Sequence, residues 1–522
     1  MTDHGSDRAT HRLFRLALLL ASVLFVTQGL YYARTLVPAH DGVQYLLVGI
    51  KALRGEVRIF DDRLPGNRLP LPFYVLGMTQ LAGPSLLAAR WLNVGLGLLT
   101  LILTAALARS LAGDHAGMLA ALFLATQGVV VAYYSYESYP AFAAFCLTIS
   151  LFVLMAGDSA PRRLLGAVLA GHLFLVRSNL WPVVPLLLAY ALWQARTRAE
   201  RGAFVGAVVV PPLIFFAWDP SHLKVLAYVP LLRLAVAPLG YVSAFVIDDR
   251  ETLPLAAQLW EVARLARRYE FWVLSCTLLA LITVWRAATG HRTAWSASKP
   301  VVLAGILACS LGALFVMYSW NFRWVGLYFL PYAPLVAVLL GIGYGELLKR
   351  ARSRWLVWTI LVCLLAPPMY FVRNPLLPTG ATLAADPFGG AYRAAARLRT
   401  MVPADARVFF YGRNVVYYLA GLPQTYFQQV YSSNPFARIR LADGVLRRSG
   451  FVTAAEMRYW LSEDADYAVI DTTFLQDELP RFGETEKEMV ALLERDFEVV
   501  GSVTDFPYDV HAVYRRRGTR RQ

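Results

Sequence analysis

Asp41 follows the first long apolar run of the chain, beside His40 in the stretch LVPAHDGVQYLLVGIKALRG (36–55). A carboxylate at such a boundary can take a proton from a hydroxyl held within about 2.6–3.2 Å. Five arginines occupy comparable places. Arg58, Arg63 and Arg68 follow shortly after, Arg177 sits at a break in an apolar run, and Arg323 opens another. A guanidinium offers two aligned N–H donors to a phosphate. Asp61 and Asp62 are either solvated loop charges or oxygen ligands for a divalent metal. Glu137, with Tyr134, Tyr136 and Tyr139 around it, can accept a hydrogen bond from a ligand or from an arginine while the rings form an interfacial belt.

Plainer roles compete with these. Asp41 with Gln44 three residues on matches a capping box, and capping does not prevent a carboxylate from accepting a proton. Arg58 and Arg63 can pair with Glu56, Asp61 or Asp62 as ordinary exposed charges. Arg177 and Arg323 are different, because an ionisable group at a span boundary is costly unless it snorkels or serves a site. His40 either orients Asp41, binds phosphate, or rests at the interface.

The elements that must hold these residues are set by composition. The 522 residues are 57% hydrophobic and only 16% charged, with a mean hydropathy of +0.47. That is too apolar for a soluble enzyme and implies an integral membrane protein. The net charge of +15 would suit nucleic acid, but the basic residues lie in short groups between apolar runs, which favours membrane topology and lipid phosphate. Nucleic acid is therefore not expected as a partner. The four cysteines lie in apolar runs and read as core packing. The N-terminus, with Arg8, Arg12 and Arg15, reads as a retained signal anchor.

Apolar runs of membrane length are expected at 13–31, 85–111, 116–135, 138–157, 163–180, 181–195, 202–218, 270–286, 300–319, 324–347 and 354–372. Basic groups recur on alternate sides of these roughly eleven spans and place the N-terminus in the cytoplasm and the C-terminus outside. The fold class is then a polytopic α-helical membrane protein with a C-terminal α/β domain: 1–373 in the membrane, with external loops at about 32–84 and 219–269, and 374–522 outside. The last part alternates β-rich runs at 406–412, 465–472, 496–503 and 509–516 with helical stretches near 389–400, 452–461 and 484–494. From Val43 the apolar residues Val43, Leu46, Leu47, Ile50 and Leu53 give an amphipathic helix expected to lie along the outer bilayer surface. GIGYG (341–345) lies in an apolar run and reads as close helix packing, not a nucleotide loop. The basic tail RRRGTRRQ (515–522) is expected to touch anionic lipid or polymer.

The order of several short motifs resembles the GT-C-type glycosyltransferases, the polytopic enzymes related to protein O-mannosyltransferases and lipid A aminoarabinose transferases. The matching segments are the acid after the first span, PLPFY (70–74), LLAARW (86–91), SYESYP (135–140), LVRSNLWP (175–182) and NFRWVGLYFLPYAPLVAVLLG (321–341). The resemblance implies transfer of a sugar from a polyprenyl-phosphate donor to an external hydroxyl on a glycan, lipid or protein, with inversion. It makes Asp41 the general base, and Arg58, Arg63, Arg68, Arg177 and Arg323 the donor-phosphate ligands. His40, Glu137, Tyr139 and Asn321 become contacts to sugar or acceptor, and Asp61 and Asp62 the carboxylates for a metal if one is used. No other cofactor is implied. The competing class is a transporter or flippase of lipid-linked sugars, which would use the same basic groove. Polar residues clustered at outer ends and an appended external domain favour transfer. The excess of Arg over Lys suits a bacterial source, and hence a bacterial cytoplasmic membrane.

Overall fold

The structure is a computed structural model. It describes residues 4–60, 69–229, 232–240, 299–318, 328–350, 386–431, 435–437, 441–478, 483–505 and 509–518, with isolated positions between 254 and 362. The chain forms two compact units. One comprises Met1–Ala33, Arg90–Trp218 and Thr252–Leu377, and the other Arg34–Ala89, Asp219–Glu251 and Pro378–Gln522. The second unit thus gathers most of both long loops with the C-terminal segment.

The first unit is helical, and its side-chain pattern explains why. In His4–Thr35 the stripe Phe14, Ala17, Ala21 and Phe25 is buried, whereas Leu13, Leu16, Leu19, Leu20 and Val23 point outward. An apolar face of that kind, left open by the protein, is suited to lipid. Among the described residues four helices are long and apolar enough to cross a membrane: Thr10–Thr35, Leu86–Ala112, Arg198–Trp218 and Leu330–Leu348. Pro140–Met155 and Lys299–Leu314 are shorter apolar helices. The expected span 270–286 and most of 354–372 lie outside the described residues.

Two expected spans are broken. The run 116–135 is two helices, Asp114–Thr126 and Gly128–Tyr134, bent by 73°. Gln127 leaves helical geometry at ψ 83°, and Gln28 donates to the Ala125 carbonyl near the break at 2.9 Å, supplying a partner that lipid could not. The run 163–180 ends as a helix at His172 and continues as the short turns Leu173–Leu175 and Ser178–Leu180 before Val183–Gln194. Here Asn179 donates to the Tyr328 carbonyl and the Tyr332 hydroxyl donates to the Asn179 carbonyl, both at 2.8 Å. Gly341 packs so closely on Asp114–Thr126 that a Cβ would strike the Ala116 carbonyl, which is the helix-packing role expected for GIGYG.

Polar contacts in this unit group loop ends by side. Lys299 reaches the Met155 carbonyl at 2.9 Å and Asp158 at 3.1 Å, and Arg163 reaches Glu200 at 3.3 Å. His11 and Arg109 both meet Asp114. These are ends that the alternating topology assigns to one side.

The second unit carries a four-stranded sheet: β1 (Val408–Tyr411), β2 (Tyr467–Asp471), β3 (Phe497–Asp505) and β4 (Asp509–Arg516), in spatial order β1-β2-β4-β3. β1 and β2 are parallel, and β4 is antiparallel to both its neighbours. Each strand falls on one of the four β-rich runs. Helices Pro387–Met401, Ala454–Tyr459 and Glu484–Asp496 fall on the helical ones. The helix His40–Leu53 is buried along Gly42, Val43 and from Tyr45 to Ile50, so it is a packed element and not a helix lying with one open face. Its closest neighbour is Pro70–Met78, where a Cβ on Gly49 would collide with the Phe73 carbonyl and one on Gly77 with Gly49.

Candidate active site

The His40–Leu53 helix starts two residues earlier than a capping role for Asp41 requires. Ala39 is the N-cap, with extended backbone and no side-chain cap. Asp41 therefore lies in the first turn, and the expected capping box does not form. Gln44 turns instead to His40, Nε2 to Nε2 at 3.1 Å. The Asp41 side chain is exposed and makes no hydrogen bond or ion pair among the described residues.

His40 is held from the sheet. Its Nδ1 lies 2.8 Å from Oδ1 of Asn414, a residue 374 positions away in sequence. Asn414 is fully buried and donates its Nδ2 to the Val430 carbonyl at 2.7 Å. It follows β1 by way of Gly412, whose φ of 126° suits glycine, and where a Cβ would run into Asp471. Asp471 closes β2. Its Oδ1 accepts from the Phe474 amide at 2.8 Å and its Oδ2 from the Arg413 amide at 3.3 Å. Opposite Asp471 in register on β4 is His511, which is buried and has no hydrogen-bond partner for either ring nitrogen among the described residues. Arg413, Asn414 and Asp471 thus stand at the carboxyl ends of two parallel strands, where open α/β sheets place ligands and polar sites.

The electrostatics agree. Burial pushes the His40 imidazole below its ordinary pKa, and Arg413 adds to this. Asp41, the Asn414 hydrogen bond and Asp471 act in the opposite sense. Burial also lowers His511, again with Arg413 adding and Asp471 opposing. Both imidazoles are neutral near pH 7.

Arg58 belongs to this unit and is 87% exposed, with its guanidinium 3.8 Å from Asp219. Of its expected partners, Glu56 is taken by Lys51 at 2.8 Å, and Asp61 and Asp62 lie outside the described residues. So open a pair contributes at most about 1 kcal/mol, and Arg58 is available to an anion.

Glu137, Tyr139 and Arg177 lie in the helical unit. Glu137 is fully buried and paired with buried Arg90, which also donates to the Ala33 carbonyl at 3.0 Å. Of the two roles open to Glu137, holding an arginine is the one seen, and its expected contact to sugar gives way. Asn93, one turn after Arg90, donates to the Ser138 carbonyl at 2.8 Å and to that of Tyr136. The LLAARW and SYESYP motifs are therefore two halves of one clamp. Arg177 stacks on Tyr139, its guanidinium carbon 4.1 Å from the ring centroid, a cation–π contact. Asp61, Asp62, Arg63, Arg68, Asn321 and Arg323 lie outside the described residues.

Arg413, Asn414, Asp471 and His511 were not singled out from sequence. The signal was present, since the strand runs ending in FFYG and YAVIDT announce their own carboxyl ends.

With this geometry in place, comparison with known proteins is informative. Residues 67–218 match the family model of dolichyl-phosphate-mannose-protein mannosyltransferase, and that stretch contains the Arg90–Glu137 clamp. ArnT from Cupriavidus metallidurans, solved with undecaprenyl phosphate bound, superposes over 95% of this chain and 97% of its own at a TM-score of 0.56 and 14% identity. This chain has the GT-C-type fold. The apo form of the Cupriavidus metallidurans ArnT matches at a TM-score of 0.55, covering 97% of this chain and 98% of its own at 13% identity. The Archaeoglobus fulgidus oligosaccharyltransferase, tethered to an acceptor peptide, matches over 96% of this chain and 74% of its own at a TM-score of 0.51 and 11% identity. Comparison with curated protein sequences gives no match.

Proposed function

We propose that this GT-C-type protein is a glycosyltransferase that moves a sugar from a polyprenyl-phosphate donor to an acceptor hydroxyl outside the cytoplasm, with Asp41 as general base. The observation that carries this reading is the Asp41 carboxylate: exposed, without a hydrogen bond or ion pair among the described residues, and set in the first turn of a helix buried at Gly42, Val43 and from Tyr45 to Ile50. The undecaprenyl phosphate in the Cupriavidus structure and the acceptor peptide in the Archaeoglobus structure support the donor and acceptor classes.

In this mechanism Asp41 takes the proton of the acceptor hydroxyl as its oxygen bonds to the anomeric carbon. The bond from that carbon to the phosphate oxygen breaks, and polyprenyl monophosphate leaves from the opposite face, giving inversion. The departing phosphate gains negative charge, which guanidinium groups stabilise. Arg58 and Arg177 are candidates on their observed environments, and Arg63, Arg68 and Arg323 on their positions in sequence. His40, Tyr139 and Asn321 remain proposed contacts to sugar or acceptor, and Asp61 and Asp62 the proposed carboxylates for a divalent metal. The distribution of basic loops supports an N-terminus in the cytoplasm and 374–522 outside as an α/β domain, and the excess of Arg over Lys supports a bacterial cytoplasmic membrane.

The broken helices at Gln127 and at Leu173–Leu180 are a feature that transporters share. In this protein the side chains at those breaks are used to satisfy backbone carbonyls, which favours a static scaffold. A chemical assay separates the classes. Lipid-linked sugars that accumulate on gene deletion would be identified by mass spectrometry and offered to detergent-solubilised protein with cell-envelope acceptor. Glycoside formation with release of polyprenyl phosphate is expected, and a donor left intact would contradict the reading, since a transporter makes no glycosidic bond.

A further inference from the structure

We propose that Asn414 is a positioning residue for Asp41: it fixes His40 as the Nδ1–H tautomer and, through that ring, sets the turn of helix that presents the carboxylate. This deepens the proposed function and rests on Asp41 being the base. It also gives the C-terminal α/β segment a part in turnover.

The hydrogen bonds around Asn414 fix which atoms carry protons. Asn414 spends its amide N–H on the Val430 carbonyl, so the Oδ1 it turns toward His40 can only accept. Nδ1 of His40 therefore carries the proton. Nε2 of the neutral ring then has a lone pair, and the Gln44 amide donates to it. A second proton on Nε2 would set two donors against each other, so the network is complete only with the neutral ring. His40 and Gln44, four residues apart, share a helix face, and Asp41 lies about 100° around from His40. Pinning His40 thus fixes the azimuth of Asp41.

Among the described residues, the charged groups that act on His40 are Asp41 on its own helix and Arg413 and Asp471 at the sheet's edge. The other helices packed on it, Pro70–Met78, Val415–Leu419 and Phe427–Tyr431, carry tyrosine as their only titratable residue type. Turnover should therefore fall as acid protonates His40, at a pH below the ordinary imidazole range.

The test uses the full-length protein in detergent, with the lipid-linked sugar that accumulates on gene deletion as donor and undecaprenyl phosphate as binding probe. Asn414→Ala and His40→Ala are expected to lower kcat roughly 10- to 100-fold, as small misplacements of a reacting group do, with donor KM in Asn414→Ala and probe affinity in both variants within about twofold of wild type. His40→Asn, whose amide N–H replaces Nδ1–H, is expected to recover much of the loss. Asn414→Asp puts a carboxylate against the ring and favours its charged form, so the acidic limb of kcat should move up by about one pH unit. A wild-type kcat in Asn414→Ala would overturn the proposal. So would an unmoved acidic limb in Asn414→Asp, including the case where Asn414→Ala only lowers the melting midpoint. Asp41→Asn, assayed in parallel, separates the two levels. Full transfer by that variant refutes the base itself, whereas an inactive Asp41→Asn beside a fully active Asn414→Ala refutes the positioning role alone.

Discussion

In the helical unit, Gln28, Arg90, Asn93 and Asn179 each donate to a backbone carbonyl at a break or turn. In the unit with the sheet, Asp41 has no such commitment, and His511 is buried with neither ring nitrogen bonded among the described residues. The first set repairs a backbone that lipid cannot hydrate. The second set repairs no backbone: Asp41 is open to solvent, and His511 spends stability without an architectural return, as groups kept for chemistry do. Polar residues in an apolar chain thus sort by what their hydrogen bonds reach, not by how unusual they look in sequence.

Substitutions on each side can break or sharpen that contrast. The largest effect is expected at the clamp. Glu137→Ala leaves Arg90 buried without its carboxylate, which costs about 3–5 kcal/mol, so folded yield and melting midpoint should collapse with activity. An Arg90→Met, Glu137→Leu double variant should recover folding. Next is Gly49→Ala, whose methyl collides with the Phe73 carbonyl; about 1–3 kcal/mol should be lost from melting without altering donor KM in the protein that remains folded.

His511→Leu should act in the opposite direction. Removing a buried group with no hydrogen-bond partner among the described residues should raise the melting midpoint, by about 1 kcal/mol or more in stability. It should also flatten the pH dependence of melting. The folded pKa of His511 lies below its unfolded value of about 6.5. Its contribution is therefore fully present above pH 6.5 and declines as pH falls from there toward the folded pKa. The smallest effect belongs to Arg58→Ala, with less than about 1 kcal/mol of stability at stake and a donor KM that rises most at low salt.

Much of the architecture was legible because it is written in local pattern. The alternating runs at 406–412, 465–472, 496–503 and 509–516 became β1 to β4, and the glycines of GIGYG announced a tight helix contact. Asp41 was legible as a residue to watch, since an acid just past an apolar run is rare enough to notice. Its surroundings were not. Nothing local to His40 points 374 residues ahead to Asn414, and nothing local to Arg58 points ahead to Asp219. The bend at Gln127 has no proline to mark it, and hydropathy does not register a change of direction. The N-cap was misplaced by two residues because Asp41 fits the chemistry of a cap, while the backbone leaves extended geometry at Ala39.

The central claim is most directly tested by Asp41→Asn in purified full-length protein, measuring glycoside formation, undecaprenyl phosphate binding and melting together. A loss of about 10²–10⁴-fold in kcat, with binding and melting as in wild type, is the predicted result. Transfer at the wild-type rate would contradict it.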